Sequence, residues 1–97
     1  MSDAFNAVKH YTVSASTTTA ATTIPAGFGN VRIVNASAAV LFWRADTTAV
    51  AATSADCAML AGSVEVFNID PKATNISIIL IAGATSASVY FDLGHGI

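Results

Sequence analysis

Residues 39–45 read AVLFWRA, an unbroken apolar run from Val40 through Leu41 and Phe42 to Trp43. Bulky and aromatic residues at this density favour an extended strand, and a strand sends neighbouring side chains to opposite faces. Val40 and Phe42 then point one way, Leu41 and Trp43 the other. A 97-residue chain buries one face of such a strand against its own core. The other face needs a cover, and that need shapes the rest of the reading.

Outward from this run, period-two alternation recurs. HYTVSAS (10–16) sets Tyr11, Val13 and Ala15 against Thr12, Ser14 and Ser16. NVRIVN (30–35) sets Val31 and Ile33 against Arg32 and Val34, and SVEVFNI (63–69) sets Val64 and Val66 against Glu65, Phe67 and Ile69. NISIILIA (75–82) and SVYFDL (88–93) follow the same rule. Residues 17–23 read as a further edge strand or a flat loop. The Ala-rich stretch 49–58 reads as a loop or a short helical turn. PAGFGN, NASA, DPKATN and GATSA are turn signals. Together these patterns predict an all-β fold, a small antiparallel β-sandwich or jelly-roll-like barrel of six to eight short strands. The expected organisation is an N-terminal arm over 1–9 and one domain over 10–97. Ala-Gly followed by a strand occurs three times, at Gly27, Gly62 and Gly83. These glycines should supply turn geometry that other residues resist, in hairpin-like units. Only 45–62 looks long enough for a strand to cross between sheets.

Charged residues form 10% of the chain, against about 25% in an ordinary domain. Ala, Ser and Thr supply 40 of its 97 residues. A surface of small hydroxyls and methyls is cheap to desolvate and suits lasting contact with protein. The net charge is −2 and no basic stripe exists, so no nucleic-acid footprint is expected. The start, MSDAFNAVKH, carries neither a basic n-region nor an apolar h-region. No apolar run approaches a membrane span. Synthesis and assembly in a cytoplasm, without membrane partners, is the expectation.

Catalytic patterns are missing. There is no G-x-S-x-G, no HExxH and no phosphate-cradling loop; GFGN (27–30) precedes a strand rather than a helix. His10 and His95 stand near opposite chain ends and could meet Asp92 at a metal, but no ligand spacing points there. Cys57 is the single cysteine, read as a small buried hydrophobe. Asn35 and Asn75 open N-x-S sequons that are read as chance. Trp43 beside Arg44 would serve as a sugar-stacking platform only if exposed. The chain is read as non-enzymatic, with no cofactor.

The 40–43 and 78–81 runs, and part of 66–69, are apolar on both strand faces. With loops judged too short to cover a sheet, part of the outer surface should meet other protein. Phe5, Phe42, Trp43, Arg44, Phe67 and Ile79 are the candidate interface residues.

VRIVNASAAVLFWRAD (31–46), AGSVEVFNIDPKATNISIILIAG (61–83) and TSASVYFDLGHGI (85–97) together resemble small virion proteins of tailed bacteriophages. The resemblance spans roughly residues 24–97. It implies a β-sandwich-like capsid decoration (cement) protein, partnered by the major capsid protein or other virion proteins. It further implies residence in the virion and a homo-oligomer, with a trimer favoured. The alternative is a tail or head–tail adaptor component with a carbohydrate-binding module. Phe42-Trp43-Arg44 departs from the small residues of that pattern and would mark a specific contact.

Overall fold

A computed structural model describes residues 6–95. Eight strands follow in order: β1 (Asn6–Ala15), β2 (Ala20–Thr23), β3 (Asn30–Val34), β4 (Leu41–Asp46), β5 (Cys57–Met59), β6 (Val64–Asn68), β7 (Asn75–Leu80) and β8 (Ala87–His95). They build two antiparallel sheets, ordered β1-β8-β3-β6 and β2-β7-β4-β5. This is a two-sheet sandwich with the interleaved strand order of a jelly roll. No helix occurs among the described residues.

Alternation decides which residues fill the gap between the sheets. Val31, Ile33, Val89, Phe91 and Leu93 come from one sheet and Leu41, Trp43, Met59, Ile76, Ile78 and Leu80 from the other. Trp43 meets Phe67 across the gap, ring centroids 4.7 Å apart. Leu41 and Trp43 therefore face inward and Phe42 outward; the strand reading of 39–45 set them on opposite faces without saying which face was buried.

Several expectations change. Residues 6–9 are not an arm: Asn6 pairs with His95 and Ala7 with Gly94, with a bulge before Lys9 pairs with Leu93. The pattern was hidden because the bulge breaks the period of two. Residues 1–5, the rest of the expected arm, lie outside the described residues. The 49–58 stretch ends in β5, a short edge strand on β4.

Crossings between sheets occur in the short connections, while the long one, 47–56, joins β4 and β5 of the same sheet. Packed sheets lie only about 10 Å apart, so connections such as 16–19 and 60–63 span the gap. The Ala-Gly turns thus serve crossings rather than hairpins. Their glycines do take left-handed backbone, with φ of 106° at Gly27, 71° at Gly62 and 86° at Gly83.

One buried polar corner supports the β3–β4 crossing. The Asn35 amide donates to the carbonyls of Ala39 (2.9 Å) and Leu60 (3.0 Å), and its oxygen accepts from the Ser37 hydroxyl (2.6 Å). Both side chains are buried, and these bonds satisfy groups that would otherwise be costly to bury. The side-chain amide of the first sequon is thus buried and fully bonded in the fold.

Candidate functional site

The outer face of the β2-β7-β4-β5 sheet carries the second side of the AVLFWRA strand. Phe42 pairs with Ile79 and Arg44 with Ser77. Arg44 is held by the Asp46 carboxylate two residues along, and Asp56 lies 3.7 Å from it. The hydrogen bond to Asp46 outweighs desolvation and raises the Arg44 pKa above its ordinary value.

The cover for this face comes first from the chain itself. The 47–56 loop leaves β4 and runs back over the sheet, and the Ala52 amide donates to Thr19 Oγ1 at 3.1 Å near the far edge. Ala52 and the outward Ser77 are both buried. The loop was judged too short; ten residues are enough because it lies flat instead of forming a hairpin. Its cover is incomplete. An apolar groove of about 540 Å³ remains, walled by Phe42, Ile79 and Ile81 with Thr17, Ala52 and Ala82, and no charged residue lines it. Ile81 is 44% exposed.

Among the described residues, nothing covers the other sheet in this way. Two of its outward rows cross all four strands: Thr12–Tyr90–Val34–Val64 and His10–Asp92–Arg32–Val66. Tyr90 is 40% and Val64 56% exposed. Beside this apolar row, Asp92 is buried and bonded by Arg32 and by His10 Nδ1 (2.6 Å). Burial pushes the Asp92 pKa up, but the bonds from His10 and Arg32 more than reverse that and hold it below its ordinary value. Arg32 and His10 thus bond one carboxylate together; among the described residues no three His, Cys, Asp or Glu side chains group as metal ligands. His95 instead stacks on Phe28, centroids 5.2 Å apart.

The six candidate interface residues thus separate. Phe42 and Ile79 share the groove, and Arg44 sits at the end of the same face. Trp43 and Phe67 are engaged with each other in the core, and Trp43 is only 6% exposed. Its indole face is closed to a sugar ring. Its Nε1 is buried with no acceptor among the described residues. Phe5 lies outside the described residues. Cys57 corrects its expectation: it is exposed, because it faces the open side where the edge strands β5 and β6 leave the sandwich unsealed. The Tyr90–Val34–Val64 row was missed. Its signal was present in the outward Val34 and Tyr90, which the inward partners overshadowed.

No family model, curated protein or solved structure matches the chain.

Proposed function

We propose that this chain is a non-enzymatic structural protein of a phage virion, a decoration or cement subunit that stabilises the head through protein contacts. The observation that carries the reading is the pair of apolar surfaces on opposite sides of one small sandwich. One is the Phe42–Ile79–Ile81 groove and the other the Tyr90–Val34–Val64 row. A subunit with two such surfaces can join two neighbours. The charge-poor exterior supports this, since little desolvation opposes contact. Jelly rolls recur in capsid and lectin domains, which is support by analogy of fold alone.

The mechanism is mechanical. A subunit that binds only the assembled shell stabilises that shell by mass action. Repetition over symmetric sites multiplies a modest free energy per site. The flat Tyr90 face is the surface offered to the major capsid protein. A tail or head–tail adaptor role would use the same surfaces in fewer copies.

The test is occupancy on empty heads of the source particle. Val64→Glu places a charge in the exposed row without touching the core. It should weaken attachment about tenfold or more, the scale of an unpaired charge at a desolvated contact. Unchanged occupancy would remove the Tyr90 face from the account.

A further inference from the structure

We propose that strand β6 is an interface with a second copy of this chain: two β6 edges pair antiparallel about Val66 and join the β1-β8-β3-β6 sheets of two molecules into one. The inference goes beyond the virion reading and does not depend on it.

Hydrogen-bond accounting locates the edge. The Asn35 amide donates to the Ser63 carbonyl and the Ile69 amide to the Gly29 carbonyl, each at 2.9 Å. Bonded pairs alternate along an antiparallel ladder, so residues 63, 65, 67 and 69 turn their backbone groups toward β3. The backbone groups of Val64, Val66 and Asn68 turn the other way, where β6 is the last strand of its sheet. Among the described residues none of these outward groups has a hydrogen-bond partner.

Sheets blunt such edges with very short strands, lysines, prolines or bulges. The other three edges each carry one of these devices. β2 and β5 are four and three residues long. β1 has a bulge before Lys9, and just past its far end the Leu80 amide of the opposite sheet donates to the Ser16 carbonyl. β6 has five residues in unbroken register, with no lysine, proline or bulge. It also borders the side of the sandwich where Cys57 is exposed, so nothing folded has to move aside.

The one charge of the strand, Glu65, selects the register. Setting Val66 against the copy's Val66 places Val64 against Asn68 and Glu65 against Phe67. Every outward backbone group of the three residues then gains a partner. A shift that sets Glu65 against Glu65 opposes like charges and leaves Asn68 unpaired. The opposite shift, with Phe67 against Phe67, leaves Val64 unpaired. The register that bonds most groups is therefore its own complement about a two-fold axis, which specifies a copy of the same strand as the occupant.

The experiment is sedimentation equilibrium on the full chain and on variants. The parent should be a dimer. Val66→Pro deletes an outward N–H and leaves the β3 ladder whole. Both bonds of the central pair go, so it should weaken the dimer about tenfold or more. Val64→Pro, at the first strand position, where proline is tolerated, serves should Val66→Pro misfold. Val66→Lys and Val66→Glu should each be monomeric, and an equimolar mixture of the two should restore a one-to-one dimer. In the parent dimer the Val64, Val66 and Asn68 amides should be protected from hydrogen exchange. A monomeric parent, an oligomer that both proline variants leave intact, a charge mixture that stays monomeric, or unprotected outward amides would overturn the contact. None of these readouts involves phage heads, so the decoration reading stands or falls separately.

Discussion

Trp43 carries two opposed effects at a single residue. Its ring fills the gap against Phe67, while its buried Nε1 has no acceptor among the described residues and so lowers the net gain. Trp43→Ala should cost about 3–5 kcal/mol, the range for removing a large core aromatic. Trp43→Phe keeps a ring and deletes the stranded donor, so it should cost about 1 kcal/mol or less. Urea unfolding of both variants measures the difference. Asp92 gives a prediction in pH. Its folded pKa is depressed, so its stabilisation is present above the unfolded value of about 4 and lost as pH falls through the folded value. Asp92→Asn should cost about 1–3 kcal/mol at pH 7, and the gap to the parent should narrow at pH 3. A gap of equal size at both pH values would mean that packing, not charge, fixes this position.

At the scale of elements, turn chemistry can be tested by itself. A Cβ on Gly62 would meet nothing within 4 Å, yet its φ is 71°. Gly62→Ala should therefore lose about 1–2 kcal/mol from backbone strain alone. Gly29 has equal space and no left-handed φ, so Gly29→Ala should stay within about 0.5 kcal/mol of the parent. Thermal unfolding distinguishes the two. The same scale shows what was legible in the sequence. β3, β4, β7 and most of β8 are visible because Val31, Ile33, Leu41, Trp43, Ile76 and Ile78 alternate cleanly with outward residues. β5 is not, because Cys57 and Ala58 are exposed on an edge and only Met59 is buried. The start of β1 is hidden by its bulge. The Asn35–Ser37 corner is invisible as well: its partners, Ala39 and Leu60, are backbone carbonyls, and sequence spacing holds no information about those. For the candidate surfaces, Phe42 and Ile79 were legible as apolar on two-faced strands, but not which face was outward, and Trp43 and Phe67 were grouped with them. The roofing loop was not legible, since Thr, Ala and Ser carry no signature of the path they take over a sheet.

On the scale of the whole molecule, the two sheets differ in what covers them. One is roofed by residues 47–56 down to a groove, and the other is open along Thr12, Tyr90, Val34 and Val64. Burying both at once would require neighbours on both sides, and this is the physical basis on which the chain is proposed to be an assembling subunit. For the proposed decoration role, the decisive measurement is the solution mass of the purified chain by light scattering, followed by its sedimentation with and without empty phage heads. The account predicts a closed oligomer that loads saturably onto heads in many copies. A monomer that leaves the heads bare would contradict it.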